Sequence, residues 1–331
     1  MEGEHELHDT PEQGPAPDAG PDGDGRSPAP RWVRWALAGT ALVALVVTAA
    51  FVALPASPPP TTTTTTSTTT TTSSTTTTTT VPTLAPGAWE VATVKPSVAR
   101  VQVRGTPPPG WDAAPPLVQR PTRELPPASE ATVAPRDPLP RADLPIVGRF
   151  ATPVGWAFDN PGPYDPPQPF TMLVEERRGD WVQVHVPVRP NGTRGWVRAA
   201  DVDVTTVTHR IEIHLGERML RAWDGERLLA ATPVVVGTPA TPTPTGLFYV
   251  TDVVPQANPS GSYGPVALAT DGYSEVMDRF STGVPVIALH GTNRPDLLGR
   301  DVSNGCVRLP NDVIEALAAE VPLGTPVLIW P

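Results

Sequence analysis

The chain has 331 residues, enough for two modest domains. Its 46 prolines and 27 glycines, with only 6% aromatic and 18% charged residues, exclude a packed core along its whole length. A net charge of −10 argues against a nucleic-acid surface, and the single cysteine, Cys306, excludes an internal disulfide framework or a zinc site of several cysteines.

Half of the negative charge is local, because residues 1–34 hold eight acids and three arginines. Lys95 is the one lysine, against 23 arginines. We read this as the codon bias of a GC-rich bacterial genome, by association rather than physics. Residues 1–30 are acidic, rich in Pro and Gly and aperiodic, the pattern of a disordered cytoplasmic tail. Trp35 to Leu54 then runs 20 residues without a charge. As a helix it spans about 30 Å, one bilayer core. Arg26, Arg31 and Arg34 precede it and Trp32 and Trp35 mark an interface, which places the N-terminus in the cytoplasm and the rest outside. The expectation is a single transmembrane helix over 35–54. A cleaved signal would have a shorter apolar run and a small-residue cleavage site, which Ala53-Leu54-Pro55-Ala56 does not provide.

Residues 61–80 are all Thr or Ser, and 81–145 hold 15 prolines. The whole of 55–142 reads as an extended linker or glycosylated stalk. It spans about 50 Å as a flexible coil and up to about 270 Å if PPII-like. Alternating valines between Val91 and Val103 suggest a stray strand within it.

Ordered structure is expected again near Leu144. Phe170 to Val186, then the turn Arg189-Pro190-Asn191-Gly192, then Gly195 to Val202 read as short strands of a small β-barrel over 143–205. Asp180-Trp181-Val182-Gln183-Val184 with Gly195-Trp196-Val197 resembles bacterial SH3-like domains. Asn191-Gly192-Thr193 also fits a glycosylation pattern, but we read it as a turn.

The last domain, 206–331, is mainly β. Ile211, Ile213 and Leu215 share one strand face, and Asp224-Gly225 joins Met219–Trp223 to Arg227–Ala231 as a hairpin. Val234–Val236, Phe248–Val250 and Val286–Leu289 read as buried strands. One short helix is expected from Asn311, as N-cap, to Glu320, with Val313, Ile314, Leu317 and Ala318 as its apolar stripe.

An odd cysteine in an exported chain implies intermolecular pairing, a reactive thiol or an inert buried residue. Cys306 sits in Ser303-Asn304-Gly305-Cys306-Val307-Arg308. Asn304-Gly305 permits a tight turn whose N–H groups can converge on one point, as an oxyanion requires. If the chain then extends, Cys306 and Arg308 share a face, which suits a substrate carboxylate near the scissile carbonyl. A thiol needs a base, usually an imidazole. His5 and His8 lie in the tail, His185 in the β-barrel segment, and His209 and His214 at the start of the last domain. His290 ends an apolar strand 16 residues before the cysteine.

His290-Gly291-Thr292-Asn293, Gly299 and Ser303-Asn304-Gly305-Cys306-Val307-Arg308-Leu309 closely resemble the active-site signature of L,D-transpeptidase (YkuD-type) catalytic domains. Val236 to Phe248, Tyr263-Gly264-Pro265 and Pro322 to Val327 extend the resemblance over 206–331. It implies that Cys306 is the nucleophile and His290 the base, with a backbone carbonyl near Gly291 completing the triad. N–H groups around Gly305 and Cys306 would hold the oxyanion, and Arg308, Asn304, Ser303 and Tyr263 would surround the substrate. The implied reaction acylates Cys306 with a peptidoglycan stem tetrapeptide, releases D-alanine and joins the stem to a neighbouring amine. Many members carry a histidine where this chain has Asn304, so that residue cannot be the base here.

The implied partners are thus peptidoglycan stem peptides and a membrane, and the implied location is the cell wall side of the membrane. No cofactor or metal is expected, since His290 and Cys306 lack a third ligand in either motif. A papain-like wall peptidase would have the cysteine before the histidine. Two alternatives remain: an L,D-carboxypeptidase of the same fold, with water as acceptor, and a non-catalytic wall-binding protein.

Overall fold

A computed structural model describes residues 81–129, 149–280 and 283–331. The expected tail, the Trp35–Leu54 segment and the Thr/Ser tract lie outside these residues. Among the described residues no helix is long and apolar enough to cross a membrane. The architecture is mainly β, with one short α-helix among the described residues.

A first unit holds β1 (Trp89–Val94), β2 (Arg100–Arg104), β3 (Arg149–Thr152), β4 (Gly155–Asp159), β5 (Thr171–Arg178), β6 (Trp181–His185), β7 (Arg194–Arg198) and β8 (Val202–Val207). They form one antiparallel sheet in the order β3-β4-β2-β7-β6-β5-β1-β8. The stretch expected as linker therefore contributes two strands, and β1 lies inside the sheet between β5 and β8. The alternating valines expected to form one stray strand thus belong to two strands, in proline-free windows rich in valine, which favours strands. In β2 the alternation buries Val101 and Val103 and exposes Arg100 and Gln102. The proline-rich chain after β2 is itself fastened to the sheet. Arg120 Nη2 donates to the buried Glu90 carboxylate at 2.8 Å, the Arg123 guanidinium lies 3.7 Å from the Trp89 ring centre, and Trp111 meets Trp196 edge to face.

The second unit carries β9 (His209–His214), β10 (Met219–Asp224), β11 (Arg227–Pro233), β12 (Val236–Gly237), β13 (Gly246–Pro255), β14 (Val266–Tyr273), β15 (Val286–His290), β16 (Asp301–Ser303), β17 (Val307–Arg308), α1 (Asn311–Glu320) and β18 (Pro326–Trp330). Eight of the strands form a mixed sheet, β11-β10-β9-β18-β13-β14-β15-β17, and β12 pairs separately with β16. Ile211, Ile213, Leu220 and Ala222 point inward, and α1 covers the sheet through Ile314 and Leu317. All of β14 is buried, so no alternation marks it in the sequence. Asn311 is not an N-cap: Pro310 holds that position, and Asn311 Oδ1 instead accepts the Thr292 N–H at 2.7 Å.

The two units share a small apolar core of Trp89, Val91, Leu173 and Val207 with Tyr249 and Leu328. Polar clamps flank it. The Gln168 amide both donates to and accepts from the Val253 backbone, at 2.8 and 2.9 Å. Asn191 does the same to Tyr273, at 2.8 and 2.9 Å, so its side chain is an anchor rather than a free turn residue.

Asp271 in β14 is buried and accepts the Tyr249 N–H at 2.8 Å. Burial pushes its carboxyl up to about 7. An unfolded chain ionises Asp271 near its ordinary value, so between that value and pH 7 the native state holds more protons. Stability from this group is therefore lost as pH rises through that window. Asp271→Asn keeps the acceptor and cannot ionise. Its stability advantage over the native chain should widen by on the order of 2 kcal/mol between pH 5 and pH 8, read by urea unfolding. An unchanged gap would contradict this account.

Candidate active site

The sheet register brings the two motifs together. β17 runs parallel to β15, with Leu289 opposite Val307 and His290 opposite Arg308. The Leu309 N–H donates to the His290 carbonyl at 2.8 Å, which fixes that register beyond the strand ends. Cys306 directly precedes β17. One cavity of about 490 Å³ is lined by Cys306, His290 and Arg308, by Ser303 and Asn304, by Tyr263 and Ser262, and by Met277 and Phe280.

The turn before the thiol is held by hydroxyls. Gly305 has φ +113°, a conformation that favours glycine, and a side chain there would meet Ile287 Cδ1 at 3.0 Å. Ser303 Oγ donates to the Cys306 carbonyl at 2.6 Å and accepts the Gly305 N–H at 3.1 Å. The Gly305 N–H, expected to face an oxyanion, is thus occupied by Ser303. Thr243 Oγ1 donates to the Gly305 carbonyl at 2.8 Å, and Thr241 Oγ1 to the Ser303 carbonyl at 3.1 Å. The Thr-Pro-Thr-Pro-Thr run is therefore a brace for the turn before Cys306, since each proline limits the backbone while Thr241 and Thr243 supply donors.

His290 Nδ1 lies 2.6 Å from the Gly291 carbonyl oxygen. A carbonyl only accepts, so Nδ1 carries the proton and Nε2 keeps its lone pair. Gly291 has no room for a side chain: Asn311 Oδ1 occupies the place a Cβ would take, and Gly264 Cα would be 2.9 Å from it. Tyr263, 38% exposed, lies over the imidazole with ring centres 4.5 Å apart.

Burial sets the protonation states. His290 is 4% exposed, and desolvation holds its imidazolium down to about 4, with the Arg308 charge adding in the same direction. Desolvation also raises the Cys306 thiol above its ordinary value, against a smaller pull from a backbone hydrogen bond and from Arg308. Near neutral pH both groups are therefore uncharged. The thiol donates to the Val286 carbonyl, with Sγ 3.7 Å from the oxygen.

All eight sequence-derived candidates lie here: seven line or directly form the cavity and its turn, and Gly291 orients the imidazole from behind. Sequence reasoning missed Ser262, Met277, Phe280, Thr241, Thr243 and Asn311. Met277 and Phe280 come from an aperiodic loop. The threonines were visible in the repeated Thr-Pro pattern, but without a role. Among the described residues no group of three or more His, Cys, Asp or Glu could hold a metal ion.

A buried thiol and a tautomer-fixed imidazole on adjacent parallel strands define a cysteine–histidine site in a β-sheet domain. The family model for YkuD, the L,D-transpeptidase catalytic domain, matches residues 208–329. The protein named YkuD from Bacillus licheniformis is 36% identical over 128 residues, 38% of this chain and 68% of that protein. Its counterpart in Bacillus subtilis is 36% identical over 130 residues, 38% and 69% of the respective chains. A solved L,D-transpeptidase from Mycobacterium tuberculosis H37Rv covers 56% of this chain and 76% of its own, at 14% identity and a TM-score of 0.35, a weak likeness. The chain belongs to the YkuD family of L,D-transpeptidase catalytic domains.

Two neutral groups predict a specific reactivity. The alkylation rate of Cys306 by iodoacetamide should climb about tenfold per pH unit from pH 6 to pH 8, because thiolate arises by simple deprotonation. A level rate over that range would reveal a resident thiolate–imidazolium pair and contradict the assignment.

Proposed function

We propose that this chain is a membrane-anchored, extracytoplasmic L,D-transpeptidase that cross-links peptidoglycan stem peptides by cysteine acyl transfer. The observation that carries the reading is the Nδ1–H to Gly291 bond, which leaves Nε2 with its lone pair on a residue that lines the same cavity as the chain's sole thiol. Family membership supports it.

The chemistry follows from these groups. Cys306 swings from the Val286 carbonyl toward Nε2, which takes its proton as sulfur attacks the carbonyl preceding the terminal D-alanine. We assign the Cys306 N–H to the oxyanion, because Ser303 already holds that of Gly305. His290 then returns the proton to the departing amine of D-alanine. A neighbouring stem amine attacks the thioester, gives its proton to His290, and leaves as the cross-linked amide while the thiol is restored. We assign Arg308, which lines the same cavity, to pair with the D-alanine carboxylate. Asn304 can hydrogen-bond to the substrate but cannot serve as a base.

We propose that Trp35 to Leu54 anchors the chain with its N-terminus in the cytoplasm, a reading supported by the uncharged run and the preceding arginines. The first β unit is read as an SH3-like module on the strength of the β6–β7 hairpin, which carries Trp181 and Trp196.

The test uses the full chain, since a fragment begun at Asp143 would remove β1 and β2. Incubated with a disaccharide-tetrapeptide carrying diaminopimelate at its third position, it should release D-alanine, show a transient adduct on Cys306 and yield dimer. Cys306→Ala should abolish all three. His290→Ala should lower adduct formation by about a hundredfold or more. D-alanine release without dimer would indicate a carboxypeptidase, and neither adduct nor product from folded protein a wall-binding protein.

A further inference from the structure

Met277 and Phe280 form one wall of the catalytic cavity, yet they lie after the end of β14, outside any strand. The groups fastening this segment come largely from the first β unit. Arg189, 5% exposed, donates through Nη2 to the Met277 carbonyl at 2.7 Å. Asn191 Nδ2 donates to the Tyr273 carbonyl at 2.8 Å and approaches Glu275 Oε1 at 3.2 Å, while Asn191 Oδ1 accepts the Tyr273 N–H. Tyr273 Oη accepts from Arg149 Nη1 and donates to the Pro187 carbonyl, both at 2.7 Å.

We propose that the β6–β7 loop, residues 186–193, positions the wall of the catalytic cavity and so sets what bulk reaches Cys306. Arg189 and Asn191 are its positioning residues. Their bonds are not needed merely to join the units, because the Trp89–Tyr249–Leu328 core and the Gln168–Val253 clamp do that elsewhere. They end instead on the segment that bears Met277 and Phe280. A partly buried carbonyl deprived of its donor is costly, so losing Arg189 would drive the Met277 backbone to rearrange. The effect on stem-peptide selection rests on the transpeptidase reading. The effect on thiol access does not.

Cys306 is the chain's single cysteine, so maleimide labelling of the full chain reads this cavity alone. The measured quantity is the rate ratio of N-phenylmaleimide to N-methylmaleimide. Arg189→Ala should change the ratio by roughly fivefold, the scale of one hydrogen bond, and Asn191→Ala, which loses three, by at least as much. Arg189→Lys, which retains a donor, should restore it to within about twofold of the native value. Gln168→Ala cuts the other clamp and should leave it unchanged. With tetrapeptide, the alanine variants should raise KM more than they lower kcat. If either alanine variant loses its melting transition, Asn191→Asp replaces it, keeping the size and losing the donor. A ratio unchanged in folded variants overturns the proposal, as does an equal change in Gln168→Ala. A native chain that labels normally but releases no D-alanine would sink the transpeptidase reading alone.

Discussion

The structure of the site depends on one hydrogen bond, from His290 Nδ1 to the carbonyl of the very next residue. For that contact the chain must leave β15 and fold its carbonyl back against the ring it has just presented. A side chain at position 291 would prevent this, because Asn311 and Gly264 close in on the space. Asn311 in turn holds the Thr292 N–H and fixes the start of the following loop. The helix therefore serves the site through its first residue, while its apolar stripe covers the sheet. A tautomer that might otherwise depend on solvent is fixed by backbone alone, which suits a cavity where burial already disfavours charge.

Burial also separates readiness from reactivity. A thiolate–imidazolium pair at rest would place two charges on buried side chains, at a desolvation cost that their attraction offsets only with good geometry. The neutral pair avoids that cost. Around this pair the supporting bonds come from small hydroxyls, Ser303, Thr241 and Thr243, rather than from charged groups. Such bonds hold the turn without adding a field that would shift either proton.

Local motifs were the legible part of the sequence. Cys306 stands out as the chain's lone thiol and Arg308 by sharing its face, whereas a strand-end histidine is bland by itself and His290 is marked by the resemblance of its motif; the alternation of Ile211 and Ile213 marks a strand face. What escaped was structure set by long-range pairing. β14 is buried on both faces and shows no period, so its central place beside β15 had no signature. β1 and β2 were concealed by a composition average: proline excludes a strand where it stands, not six residues away. Asn311 had the right chemistry for a cap but was recruited by a loop 19 residues earlier. Local preference lost there to a tertiary acceptor.

The fastening of Met277 by Arg189 bears on how this molecule divides into parts. The family match spans residues 208–329 and so contains Cys306, His290 and Arg308. Arg189 and Asn191 lie before it, in a loop between two strands of the other sheet. Every residue that lines the cavity lies within that match, but a hydrogen bond that holds the Met277 backbone comes from outside it. Exchanging the first β unit between relatives would therefore change a support of the pocket while leaving its lining in place.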